Sequence, residues 1–209
     1  MNAFERYGSL IVISGPSGVG KSTLVGAVRA NHPELEFSIS CTTRSPRGQE
    51  QHGREYYFLT PEEFEAKVQA GEFLEYAGVF AKRYGTLKSE VRSRLENGKT
   101  VLLDIDVQGA MQIMASAQSD EVLQTALASV MILPPDLETL KTRLTGRNTD
   151  SAEQIALRLQ QAQSELAHAG KYDYCVVNGD LETAAADFSA ILRAARCKSI
   201  RYGKIWEQK

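Results

Sequence analysis

Residues 15–22 constrain this chain more than any other stretch. They read Gly15-Pro16-Ser17-Gly18-Val19-Gly20-Lys21-Ser22 and stand between two apolar segments of different texture. The run before them, Leu10-Ile11-Val12-Ile13, is rich in β-branched residues and does not alternate with polar ones, as in a strand buried on both faces. The segment after them, Thr23-Leu24-Val25-Gly26-Ala27-Val28-Arg29, spaces its apolar residues for a helix laid on a sheet. Strand, glycine-rich turn and helix together open an α/β fold. The Gly-x-x-x-x-Gly-Lys-Ser pattern lets consecutive backbone N–H groups wrap an anion, while the following helix contributes its positive end. In that setting Lys21 reaches the β- and γ-phosphates and the Ser22 hydroxyl suits Mg²⁺. By itself the loop specifies a nucleoside triphosphate and nothing finer.

More buried-strand signals follow at Thr100-Val101-Leu102-Leu103, Val130-Met131-Ile132-Leu133 and Tyr174-Cys175-Val176-Val177. Helices are predicted around 108–116, 136–145, 151–169 and 181–198, the third started by Ser151 with Gln154 at capping-box spacing. The fold class is therefore a three-layer α/β/α core on a mainly parallel sheet. Between residue 37 and about 84 the texture changes. Short segments such as Phe37-Ser38-Ile39-Ser40 and Glu55-Tyr56-Tyr57-Phe58 surround a polar loop, which predicts a small mixed β insertion with a helix near 61–70. The stretch 136–170 is charged and helical, broken at Gly146-Arg147-Asn148. Segment 114–129 reads as an extended helix and loop on the core, with no function attached.

With 209 residues, 43% hydrophobic, a core of ordinary size is available, and the net charge of −2 advertises no nucleic-acid partner. Three scattered cysteines and three histidines without ligand spacing argue against a disulfide framework or a zinc site. Glu5 sits where a signal peptide needs a basic lead, and no run is long enough to span a membrane, so a cytoplasmic protein is expected. The basic stretch from Arg193 to Lys209 reads as a solvated helix end. Self-association is left open. Asp104, closing the apolar strand 100–103, stands where a carboxylate orients magnesium and its waters.

The ordered series of motifs resembles guanylate kinase: the phosphate loop, Ser40-Cys41-Thr42-Thr43-Arg44-Ser45-Pro46-Arg47, Gly53-Arg54-Glu55-Tyr56-Tyr57-Phe58, Glu72-Phe73-Leu74-Glu75, Tyr84-Gly85-Thr86, Leu103-Asp104-Ile105-Asp106-Val107-Gln108-Gly109, Ile132-Leu133-Pro134-Pro135 and Val177-Asn178. It covers nearly the whole chain. The resemblance implies transfer of the γ-phosphoryl of ATP to GMP (with dGMP as a further acceptor), supported by Mg²⁺, in purine nucleotide metabolism and salvage. It also implies a core (1–35, 91–134 and 171–209), a GMP-binding insertion (36–90) and a lid (135–170). On the donor side it implies Gly15, Pro16, Ser17, Gly18, Val19, Gly20, Lys21, Ser22 and Thr23 as ATP-binding, Asn178 against adenine, and Ser22 with Asp104 at the metal, the latter through water. Arg44, Arg47, Tyr56 and Tyr84 resemble the clamp on the GMP phosphate. Ser40, Glu75 and Thr86, with Asp106 beside them, resemble the guanine-reading set. Arg143, Arg147 and Arg158 match lid arginines that close on the transferring phosphates, so that Lys21, Arg44, Asp104 and these three form the catalytic group. Thr86 stands where serine is common, and Gly179 where an acid is frequent.

Two other readings are weaker. A protein-binding module of the same ancestry would be expected to lose loop or lid residues, all of which are present. A phosphate-loop kinase for another small substrate would have no need of the Ser40–Arg47 and Glu75–Thr86 set.

Overall fold

A computed structural model describes residues 7–79, 82–146 and 151–201. Five parallel strands form the central sheet in the order β2-β7-β1-β8-β9: β1 Ser9–Ser14, β2 Leu35–Phe37, β7 Thr100–Asp104, β8 Leu127–Leu133 and β9 Tyr174–Val177. All six residues of β1 are buried, because helices cover both faces. Leu10, Val12, Val101 and Leu103 face one side with α4 Val107–Ser116, α3 Lys88–Glu96 and α5 Glu121–Ala126. Ile11, Ile13, Leu102 and Val130 face the other with α1 Lys21–Arg29 and α8 Leu181–Arg196. The alternation is thus real, but both alternating sets are apolar.

Two features differ from the sequence expectation. Leu35–Phe37 belongs to the central sheet, paired with β7, so Phe37 is part of the core, whereas the sequence texture starts the insertion at that residue. Segment 114–129 does not run on as helix and loop to its end. It closes α4, caps α5 through Asp120, and is already strand from Leu127. Val122, Leu123 and Ala126 are buried, which accounts for the segment as core packing.

The insertion is a four-stranded mixed sheet in the order β4-β3-β6-β5: β3 Cys41–Thr42, β4 Tyr57–Phe58, β5 Phe73–Val79 and β6 Lys82–Leu87. Its strands β3 and β4 are parallel and its other pairs antiparallel. One face is covered by α2 Pro61–Gln69, which begins with a full capping box at Thr60 and Glu63. Cys41, Phe64 and Phe73 make a small core there, with the Phe64 and Phe73 rings stacked at 4.4 Å. No described helix of the insertion covers the opposite face, the open face, although Thr42, Glu75, Ala77 and Thr86 on it are buried and Gly109 of α4 approaches Glu75.

Helices α6 Leu137–Thr145 and α7 Ala152–Leu166 pack on each other through Leu140, Leu144 and Ala162. No helix among the described residues is long and apolar enough to cross a membrane. Arg147 and the end of the basic tail, including Lys204 and Lys209, lie outside the described residues.

Candidate active site

The parallel sheet gathers its strand ends at one edge. Ile13 pairs with Asp104, Ser14 with Met131, and Leu133 with Val177, so the loop after β1 is flanked by Asp104 and by the turn into Asn178. This is where an open α/β sheet presents its ligand crevice. The loop is held from below: Asn178, buried, donates its Nδ2 to the Val19 carbonyl at 2.8 Å. Gly20 has a φ of 95°, and a Cβ there would fall 2.5 Å from the same amide nitrogen. Both the positive φ and the contact demand glycine. Gly20→Ala is expected to destabilise the protein by about 1–3 kcal/mol through backbone strain, read as a lowered melting temperature. An unchanged melting temperature would show that the loop can refold around a side chain.

Lys21 folds back over the loop and donates to the Gly15 carbonyl at 2.6 Å. Asp104 is open to solvent at the strand end, yet the protein around it pushes its carboxyl up, with Lys21 opposing that shift. Two lid arginines reach the loop. Arg143 donates to the Val19 carbonyl at 3.1 Å and to that of Gly179 at 3.5 Å, and Arg158 approaches Ser17 Oγ at 3.5 Å. Arg143 is thus held by neutral carbonyl oxygens that an anion can replace.

The other half of the site is the open face of the insertion sheet, and strand register places its residues. Cross-strand partners share a face, so Thr42, Phe58, Tyr84 and Ala77 point one way while Cys41, Tyr57 and Gly85 point toward α2. Thr86 follows Tyr84 on the open face, and Ser40 and Tyr56 continue the alternation from Thr42 and Phe58. Glu75 should by simple alternation share the buried face of Phe73. A register shift between Phe73 and Glu75 reverses it, and Glu75 comes opposite Thr86. A bulge thus turns this carboxylate onto the open face.

Glu75 is 5% exposed and accepts a 2.7 Å bond from Thr86 Oγ1. Burial pushes its carboxyl up to about 7, with Asp106 reinforcing the shift and Thr86 opposing it. Asp106 caps α4 by accepting from the Gly109 N–H at 2.7 Å. The raised value has a cost in stability. Between the unfolded value near 4.5 and about 7 the folded chain binds more protons than the unfolded one, so stability falls as pH rises through that window. The full loss above pH 7 is roughly 3 kcal/mol. Glu75→Gln is therefore expected to melt several degrees higher than wild type at pH 8 and at about the same temperature at pH 5. Equal melting temperatures at pH 8 would contradict the placement of a buried charge here.

Arg44 lies over the Tyr56 ring at 4.8 Å and pairs bidentately with Glu50 at 2.6 and 2.8 Å. The Arg44 fork, with the Arg47 backbone N–H, holds the Glu50 carboxyl down at about 2. Tyr84 packs edge-on against Tyr56 at 6.1 Å, and Glu50 foremost, with Tyr84 adding to it, favours the cationic form of Arg44. Arg44, Tyr56 and Tyr84 therefore converge, whereas Arg47 is exposed at the rim. Glu50 was missed by sequence reasoning. Its signal is a carboxylate six residues after one arginine and three after the other in a glycine-containing loop. Glu165, partly buried on α7, was missed too: it lies within electrostatic reach of Lys21 and Asp106, and burial raises its carboxyl. It shares a helix face with Arg158, two turns earlier.

The chain thus combines an insertion face holding a buried carboxylate with a glycine-rich loop that ends on Lys21 and Ser22. The guanylate kinase family model matches residues 7–195. The chain belongs to the guanylate kinase family. A guanylate kinase of Anaeromyxobacter dehalogenans is 46% identical over 207 residues, 98% of this chain and 88% of the relative. One of Novosphingobium aromaticivorans is 44% identical over 200 residues, 96% of this chain and 88% of the relative. The crystal structure of guanylate kinase from Anaplasma phagocytophilum superposes with a TM-score of 0.73 at 32% identity, covering 98% of this chain and 94% of that one. As a member of the guanylate kinase family it is an ATP:GMP phosphotransferase, with ATP and GMP as its substrates.

Proposed function

We propose that the open face of the insertion binds GMP, that the loop at 15–22 holds ATP, and that the two close on each other for in-line phosphoryl transfer. The observation that carries this is the register of β3, β4, β5 and β6. It puts Glu75, Tyr84 and Thr86 on one face, turned away from α2, and the alternation carries Ser40 and Tyr56 to the same side. Glu75, held by Thr86 and joined by Asp106 and Ser40, accepts the N–H donors of guanine. Arg44 exchanges Glu50 for the GMP phosphate, one anion replacing another on the same fork, and Arg47, Tyr56 and Tyr84 complete the grip. Arg143 and Arg158 leave their backbone and hydroxyl partners for the transferring phosphoryl group, and Arg147 is assigned the same role. Asn178 steadies the loop from beneath, with the adenine of the donor nucleotide beside it.

Magnesium fits this site as a companion of the nucleotide. Among the described residues no group of three or more His, Cys, Asp or Glu side chains could hold a metal. The Ser22 hydroxyl and the Asp104 carboxylate are hard oxygen donors of the kind Mg²⁺ accepts while keeping phosphates and water. Bound there, the ion would neutralise charge on the β- and γ-phosphates. Lys21 does the same from the loop side, and the lid excludes water that would otherwise take the phosphoryl group.

The moving parts are the insertion, from the end of β2 to about 90, and the lid, about 135–170. The three cysteines are free thiols, which suits the reducing cytoplasm and a place in purine nucleotide metabolism. Small-angle scattering with a bisubstrate analogue is expected to show compaction, with slowed hydrogen exchange in both segments. Unchanged dimensions together with unchanged exchange would contradict closure.

A further inference from the structure

In the insertion sheet β5 is an edge strand, and an edge exposes unpaired backbone groups. At Tyr76 those groups are taken by a side chain of the core. Gln112 of α4 donates its Nε2 to the Tyr76 carbonyl at 2.8 Å and accepts from the Tyr76 N–H through Oε1 at 3.1 Å. One amide thus does what a further strand would do, satisfying a donor and an acceptor together. Tyr76 directly follows Glu75, so this two-point bond fixes the backbone at the carboxylate's own position.

The same helix touches the carboxylate itself. A Cβ on Gly109 would lie 2.5 Å from Glu75 Oε2 and 3.1 Å from its Cδ, so α4 approaches as closely as a glycine allows. Thr86 holds the other oxygen at 2.7 Å. The bulge between Phe73 and Glu75 makes the strand locally irregular, and a local irregularity needs outside support to aim a side chain reproducibly. Gln112 and Gly109 are three residues apart on α4 and brace the bulge from one helix face.

We propose that Gln112 is a positioning residue for base recognition: by clamping the β5 edge at Tyr76 it sets the orientation of Glu75 against guanine, with Gly109 as the wall behind the carboxylate. The inference rests on Glu75 reading the base. Gln112 is assigned no contact with either nucleotide and acts through Glu75. Its loss therefore weakens GMP and leaves the ATP side alone.

Gln112 is half-buried, and Gln112→Leu keeps its size while removing both bonds. The KM for GMP is expected to rise about tenfold, with kcat and the KM for ATP within about twofold of wild type. Gln112→Asn, one methylene too short to span the edge, should behave alike if the leucine variant is poorly folded. In the Glu75→Gln background the Gln112→Leu change should cost almost nothing further, because the group it positions is already altered. A purely structural glutamine would lower the melting temperature with additive effects in the double variant, and that result would overturn the proposal. So would an unchanged KM for GMP in both Gln112 variants, provided that Glu75→Gln alone weakens GMP. If Glu75→Gln alone has no effect, the reading of the guanine pocket fails first and takes the inference with it.

Discussion

Lys21→Ala is expected to lower kcat by roughly 10³-fold while leaving the Kd for GMP within about a factor of two. Among the described contacts the lysine rests on one neutral acceptor, the Gly15 carbonyl, a bond that donor phosphates would replace. No other lysine approaches the loop among the described contacts, so its charge on the migrating phosphoryl group has no substitute within the loop. Arg143 and Arg158 come from the lid and make contacts of their own kind, to Val19, Gly179 and Ser17. The insertion face is a separate sheet, which is why GMP binding should survive. Steady-state kinetics with a parallel GMP titration decides the matter, and near-normal turnover would sink the assignment of the loop lysine to the reacting phosphates.

Glu75→Gln should cost about 2–4 kcal/mol in kcat/KM for GMP, because charged hydrogen bonds are replaced by an amide that matches guanine only in part. Guanine offers two adjacent donors, N1–H and the exocyclic amine, and a carboxylate accepts both. Adenine sets an acceptor nitrogen at the corresponding edge, so AMP would face a lone pair with a negative charge. AMP should therefore lose little from its poor baseline, and the selectivity ratio should collapse from the GMP side. The position of the Glu75 titration adds a pH signature. Burial pushes its carboxyl up to about 7, and the ionised form is the one that would accept both guanine donors. GMP use should then strengthen from pH 6 to pH 8, with a proton released on binding near neutrality. Below about pH 7 the protonated acid can donate to the adenine nitrogen, so discrimination should narrow on that side. Parallel pH profiles of kcat/KM for GMP and AMP, in wild type and variant, test both statements; a wild-type profile for GMP as flat as that of Glu75→Gln would contradict them.

The parts of this fold that the sequence displays are those where one physical requirement dominates. The central strands at 9–14 and 100–104 are visible because burial on both faces forces unbroken apolar runs, and the edge strand at 174–177 keeps such a run although Cys175 and Val177 are exposed. β8 is visible only from Val130, since its first residues, Leu127, Ala128 and Ser129, carry a serine that breaks the apolar run and that Asp173 satisfies in three dimensions. β5 and β6 were legible as motifs and illegible as strands. Glu75 is a buried carboxylate, Lys82 and Arg83 lie at the rim and Gly85 makes a close approach to Phe73, and these demands erase the alternation that would have marked the strands. The bulge that turns Glu75 outward leaves no trace in the residues themselves.

The loop at 15–22 was readable from spacing, because the backbone wrap needs glycines at fixed positions. The remaining site residues came from resemblance, since tyrosines, arginines and a glutamate in a loop-rich segment have no periodic signature of their own. The structure brings Arg44, Tyr56 and Tyr84 together, and Glu75 with Thr86 and Asp106, across separations only pairing register can supply. Glu50 on the Arg44 fork and Gln112 on the β5 edge are long-range or loop contacts with no sequence pattern behind them.

On the proposed function, one face of the insertion reads guanine while the loop delivers the phosphoryl group. A coupled assay of ADP formation with GMP, AMP, UMP and dTMP, each at matched concentration with ATP and Mg²⁺, separates this from the alternatives. The kcat/KM for GMP is expected to exceed that for AMP by roughly 10⁴-fold, the margin expected where a buried polar group would be left unpaired by the wrong base. Comparable turnover with AMP or with either pyrimidine nucleotide would contradict it.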